Sequence, residues 1–259
     1  MLDFEQVKAQ YPEPLQGFER AILREYLQYK ILQGAFESKR ANRISFMGGT
    51  ALRIVHGNMR FSEDIDLDNF GLTWEEFGDL VDMVQRSLAL EGFEVTITMA
   101  EKAAYHCHIR FPNILFEQGI SPLQQEKILI QIDTPAQGYD YQPEIKVLNK
   151  FDVFTEVRVT PLSILLSQEI YAAANRKRPK GRDFYDITFL LGQTMPDYGY
   201  LDKKLGFGTP EKLRSGFADK IAGYDFEALA GDVAPFLIRK EDRRRVTHFK
   251  VFWEQAQLG

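Results

Sequence analysis

A single cysteine, Cys107, stands in a chain of 259 residues, so no internal disulfide can form. Disulfides mark oxidising compartments, and their absence points to reducing conditions and a fold held by packing alone. Long apolar runs are missing as well, and none approaches the ~20 residues of a membrane span. The first residues, Met1-Leu2-Asp3-Phe4-Glu5, turn acidic at once, unlike a secretory leader. These absences lead us to expect a cytoplasmic protein with no membrane partner. An excess of basic charge is also lacking. The 32 Lys and Arg face 37 Asp and Glu, a net charge of -5, which excludes a generally basic nucleic-acid binder. The cations are clustered nonetheless. Arg176-Lys177-Arg178, Lys180 and Arg182 form one group, and Arg239-Lys240 with Arg243-Arg244-Arg245 another. Such groups can contact phosphates on an acidic protein, or can simply be solvated helix ends.

What is present is ordinary for a globular chain: 44% hydrophobic and 27% charged residues. The length allows one large domain or two small ones. A short helical start ends near Pro12. Apolar spacing of three and four over residues 13–36 predicts a helix. Ile44-Ser45-Phe46-Met47 reads as a strand running into the tight turn Gly48-Gly49, and residues 50–55 as a helix. The segment around Ile65-Asp66-Leu67 reads as a second strand. Trp74 to Leu90 is helical by period, with Thr73 as N-cap and Gly92 as the stop. Three runs alternate with period two: residues 93–99, 105–111 and 127–133. After Pro161 the texture becomes helical, beginning with Leu162 to Ala174. The expectation is an α/β (α+β) fold in two parts. A core with a small mixed sheet spans 1–158, and a helical C-terminal domain spans 159–259.

The densest chemistry lies between these elements. In a strand, Asp64 and Asp66 project the same way, and Ile65 and Leu67 face the core. Two carboxylates ~7 Å apart on one face suit a hard cation, and Mg2+ is usually held by one or two carboxylates plus substrate phosphates. Mn2+ is the nearest substitute. Glycine permits positive φ and close approach of a phosphate, so Gly48 and Gly49 suit a triphosphate, with Thr50 as a hydroxyl donor. Asp133 ends the run Ile128, Ile130, Ile132 and points away from that apolar set. It would complete a metal-binding trio for in-line displacement at an α-phosphate. In His106-Cys107-His108, alternation parts the histidines from the thiol, so strand-surface or core packing is the better reading than a shared metal.

Gly48-Gly49-Thr50-Ala51-Leu52, then Arg60, Ser62, Asp64 and Asp66 at alternate positions, resembles the AbiEii/AbiGii toxin family of nucleotidyltransferases. That family belongs to the polymerase-β-like superfamily. The likeness continues at Val159-Thr160-Pro161-Leu162 and at Arg182-Asp183-Phe184-Tyr185-Asp186-Ile187, and so covers roughly residues 44–190. The resemblance implies the polymerase-β-like core and transfer of NMP from an NTP to an acceptor hydroxyl, with tRNA or another RNA favoured. It also implies the toxin half of a type IV toxin–antitoxin or phage-defence pair, with an antitoxin encoded nearby. By motif position Arg60 and Ser62 would support the aspartate strand or the phosphates, Asp183 and Asp186 would stand near the active cleft, and Arg176 and Arg182 would face phosphate. One position departs: Glu169 stands where the family usually carries a lysine that would pair with the triphosphate. Two further readings follow. One is a catalytically weakened homologue that binds nucleotide or antitoxin. The other is a small-molecule (antibiotic) nucleotidyltransferase with the same core.

Overall fold

A computed structural model describes all of residues 1–259. The chain divides into two compact units. The first comprises residues 1–55 and 61–159, the second residues 56–60 and 160–259.

The first unit is built on a seven-stranded mixed sheet. Its strands are β1 (Ile44–Met47), β2 (Ile65–Asn69), β3 (Thr96–Glu101), β4 (Tyr105–Phe111), β5 (Ile128–Thr134), β6 (Glu144–Lys150) and β7 (Val153–Val159). They lie in the order β3-β4-β5-β2-β1-β7-β6. The β2–β5 and β1–β7 pairs are parallel and the rest antiparallel. Alternation sets the two faces. Ile65, Leu67, Cys107, Ile109, Phe111, Ile128, Ile130 and Ile132 are buried, while His106, His108, Gln131 and Asp133 are half-exposed. The unit's helices are α1 (Phe4–Lys8), α2 (Glu19–Phe36), α3 (Gly48–Ile54), α4 (Trp74–Leu90) and the single turn α5 (Ile114–Glu117). α2 and α4 pack together, with Gly34 set against the Val84 backbone, where an added Cβ would come within 3.1 Å.

Local chemistry sets the boundaries. Thr73 and Glu76 form a capping box at the start of α4. At its end Gly92 takes φ 86 and the Phe93 N–H reaches back to the Leu88 carbonyl. That closure draws Phe93 into the helix cap, so β3 begins at Thr96 and not at Phe93, as the alternation alone predicts. The helix predicted over 13–36 also starts later. Glu13–Leu15 forms a 3-10 turn, and α2 begins at Glu19 after Phe18, whose ring packs on Phe61. The β6–β7 hairpin went unread in the sequence. Its turn is Phe151-Asp152, with Phe151 at φ 58.

The second unit is helical: α6 (Leu162–Asn175), α7 (Gly181–Leu191), α8 (Tyr198–Leu205), α9 (Pro210–Ile221), α10 (Phe226–Val233), α11 (Arg244–Thr247) and α12 (Phe249–Gln255). Phe184, Phe217, Phe249 and Trp253 form its aromatic core. Gly181 is required by contact, since a Cβ there would collide with the Leu229 carbonyl. No helix of the chain is long and apolar enough to cross a membrane.

Candidate functional site

Strand β1 ends at the glycine turn. Gly48 sits at φ 71, in the left-handed region, and a Cβ on it would overlap the Asp66 carboxylate. Glycine is therefore needed twice, for backbone conformation and for close approach. Thr50 departs from its expected role. Its side chain is fully buried and its hydroxyl donates to the Asp64 carbonyl, so it ties the turn to the aspartate segment and does not present a donor to phosphate. Ser62 and Glu63 approach β2 under a second restraint. Buried Gln28 of α2 donates to both of their carbonyls at 3.0 Å. Asp64 stands one residue ahead of β2 and Asp66 within it.

The sheet register assembles the rest. Asp66 faces Met47 on one side and Asp133 on the other, and Asp133 faces His106. Neighbouring strands are ~4.8 Å apart, so these residues form one transverse row. Asp133 is held from two sides. His106 Nδ1 lies 2.6 Å from its Oδ1, and Gln131 Nε2 donates to both oxygens at 2.7 and 2.9 Å. His106 and Asp133 stay about a quarter exposed. Sequence reasoning missed the tie between His106 and Asp133, because partners from different strands leave no mark in spacing. It also missed Asp68, two residues along β2, which accepts from the Gln137 N–H at 2.9 Å and the Tyr141 hydroxyl at 2.8 Å. Cys107 points to the core, where burial pushes its thiol up to about 12.

The donor chemistry of this row fits a hard divalent cation, since it offers carboxylate oxygens on adjacent strands beside a glycine turn with no side chain in the way. No three acidic, histidine or cysteine side chains converge closely enough to hold a cation by themselves. Two carboxylates completed by substrate oxygens are the arrangement Mg2+ usually takes.

Five of the other expected residues lie in the second unit. Arg60 and Asp186, both almost fully buried, form a two-pronged ion pair, and Asn58 donates to the same carboxylate at 2.7 Å. The two charges face each other, so the pair fastens segment 56–60 to α7. Arg176 Nε donates to Asp183 at 2.8 Å, and Arg182 is half-buried at the start of α7. Burial raises Asp183 to about 6 even with Arg176 beside it. Glu169 of α6 belongs to the same electrostatic cluster. Its own burial and the Asp186 and Asp183 carboxylates raise it well above the usual carboxylate range. The Glu169 carboxyl is thereby pushed toward its neutral form.

No curated protein matches the sequence. The fold is similar to two Helicobacter pylori crystal structures. JHP933 aligns with a TM-score of 0.58 and 16% identity, covering 92% of this chain and 91% of that one. A protein provisionally assigned as a nucleotidyltransferase aligns at 0.56 and 16%, covering 92% of this chain and 96% of that one. At such identities the likeness concerns the fold. The profile of the family described as nucleotidyl transferase AbiEii toxin, type IV TA system, matches residues 30–234. With that match over most of its length, and with its glycine turn set against the aspartate strand, the chain belongs to the AbiEii nucleotidyl transferase toxin family.

Proposed function

We propose that the protein transfers NMP from an Mg–NTP complex to an acceptor hydroxyl, with RNA, and tRNA among RNAs, as the favoured acceptor. The observation that carries this reading is the transverse row Asp66–Asp133–His106 beside the Gly48 turn. The turn leaves open backbone where a triphosphate can approach. Asp64, Asp66 and Asp133 supply the oxygen ligands, and Mg2+ (or Mn2+) bound there with the phosphates would neutralise charge developing at the α-phosphate. Asp133, fixed by His106 and Gln131, accepts the proton of the attacking hydroxyl. The new bond joins the acceptor oxygen to the α-phosphorus. The bond to the β-phosphate oxygen breaks, and pyrophosphate leaves with the electron pair.

A second reading is favoured by one residue. Glu169 brings no cation where the family's lysine would, and its carboxyl is pushed toward the neutral form. A protein that binds Mg–NTP with slow turnover is the outcome if that missing charge matters. A cognate antitoxin as partner follows from the family.

The test is incorporation of α-32P label from each of the four NTPs, with Mg2+, into total bacterial RNA and protein. Wild type is run beside Asp66→Ala and Asp133→Asn. The expected result is a labelled RNA species that is lost with Asp66→Ala and reduced by about 100-fold or more with Asp133→Asn. Label that persists in Asp66→Ala would remove the aspartate row from the chemistry. Mg–NTP binding without label in wild type selects the slow-turnover reading.

A further inference from the structure

The transverse row continues past Asp133 to His106, and what lies along β4 from there has a distinct chemistry. We infer that His108 and Arg110, continuing from His106 along β4, form the track that holds the acceptor strand, a polynucleotide whose terminal hydroxyl reaches Asp133. The inference rests on the transfer reading above and assigns its acceptor side.

Register and alternation place these side chains. His106 pairs with Asp133, His108 with Gln131, and Arg110 with Leu129 across β4–β5. Cross-strand partners share a face, so His106, His108 and Arg110 lie on the face of Asp133. Cys107, Ile109 and Phe111, fully buried, occupy the other. The three polar residues are half-exposed. On the neighbouring strand Ala100, Thr98 and Thr96 pair with them in turn. From His106 to Arg110 the strip runs about 14 Å along the strand. Five of its six side chains, all but Ala100, can donate a hydrogen bond, and none of the six is acidic. Arg110 Nη1 donates to Thr98 Oγ1 at 2.9 Å and has no carboxylate partner, so the guanidinium is fixed in direction with donors to spare. A donor-rich strip without carboxylates, ending in an arginine, suits phosphodiester oxygens, whereas a cationic antibiotic would require carboxylates.

Direction supports the same assignment. The Gly48 turn adjoins β1, at one end of the row Met47–Asp66–Asp133–His106, and β4 is at the other. In-line displacement places the attacking and leaving oxygens on opposite sides of the phosphorus. A triphosphate lying toward the glycine turn therefore puts the acceptor toward β4.

The experiment measures two affinities on the full chain. One is for a short 5′-fluorescein single-stranded oligoribonucleotide, by anisotropy over a salt series. The other is for a non-hydrolysable NTP analogue with Mg2+. The variants are His108→Ala/Arg110→Ala, the charge-keeping Arg110→Lys, and Lys177→Glu/Arg178→Glu in the second unit. Thermal unfolding checks that each is folded. The expected result is about a tenfold loss of RNA affinity in the β4 double variant, a shallower salt dependence and unchanged NTP-analogue binding. Arg110→Lys should keep most of the RNA affinity. RNA binding unchanged in the β4 variant, or weakened only by the Lys177/Arg178 change, overturns the assignment. Wild type that binds RNA but not the NTP analogue defeats the transfer reading itself, and the acceptor role with it.

Discussion

The histidine at 106 shows how far one side chain's role depends on its neighbour across the sheet. Alternation in the sequence separates His106 and His108 from Cys107, and the structure keeps that separation. What the spacing does not contain is the pairing of β4 with β5, which brings His106 Nδ1 to Asp133. In the proposed transfer His106 is a positioning residue for Asp133. His106→Asn retains an N–H near the place of Nδ1 and should keep kcat within severalfold, while His106→Ala should lower it by 10–100-fold. The split is read from kcat against KM for NTP: Asp64, Asp66 and the Gly48 turn still hold the Mg–NTP complex, so lost positioning of Asp133 should weigh more on kcat than on KM. A parallel drop in both variants would mean that the imidazole itself is needed. Thr50 teaches the complementary lesson. A hydroxyl beside a glycine turn reads as a ligand donor, but a fully buried one must find a nearby acceptor, and the Asp64 carbonyl is that acceptor.

Elements with a clean local signal were legible: β4, β5, α4 and α6 emerge from apolar spacing, and β1 from a short apolar run into a glycine turn, within a residue or so. The β6–β7 hairpin was not, for two physical reasons. Its turn carries Phe151 at positive φ in place of an Asn-Gly or Asp-Gly pair. Its outward face displays Ile145, Val147 and Phe154, all more than half exposed, which blurs the alternation. The hairpin is secured instead by charge. Glu25 of α2, 4% exposed, bonds to the Tyr11 hydroxyl at 2.7 Å, to Arg53 of α3 at 2.7 Å and to Lys150 of β6 at 2.9 Å. Burial pushes its carboxyl up, but Arg53 and Lys150 outweigh burial and hold it below the ordinary range. Lys150 also lies 3.8 Å from the Tyr11 ring centroid. Removing the hub takes from Arg53 and Lys150, both partly exposed, the carboxylate they share. Glu25→Ala should therefore cost about 2–3 kcal/mol in denaturant unfolding, the loss of a buried carboxylate's charge-assisted hydrogen bonds to partly solvated partners. A loss below 1 kcal/mol would mean that water reaches the hub.

For the whole molecule, the net charge of -5 conceals an uneven distribution. The first unit holds fifteen Lys and Arg against twenty-four Asp and Glu, and the second seventeen against thirteen. Stability should depend on pH through the second unit. Asp183 titrates near 6 when folded and near 3.8 when free, so the folded chain binds the extra proton between those values. Its stabilising contribution is complete below pH 3.8 and fades as pH rises through 6. Wild-type stability relative to Asp183→Asn should thus fall by roughly 2 kcal/mol from pH 4 to pH 7, measured by urea unfolding at each pH. A flat difference would show that Arg176 cancels the effect of burial. The five residues 56–60 have a consequence for anyone who wishes to dissect the protein. The chain leaves its first unit, contributes Asn58 and Arg60 to the second, and returns. A truncation starting at residue 160 would keep Asp186 in a helical core without its guanidinium. The two units are thus interleaved in the gene, and no single cut yields both intact.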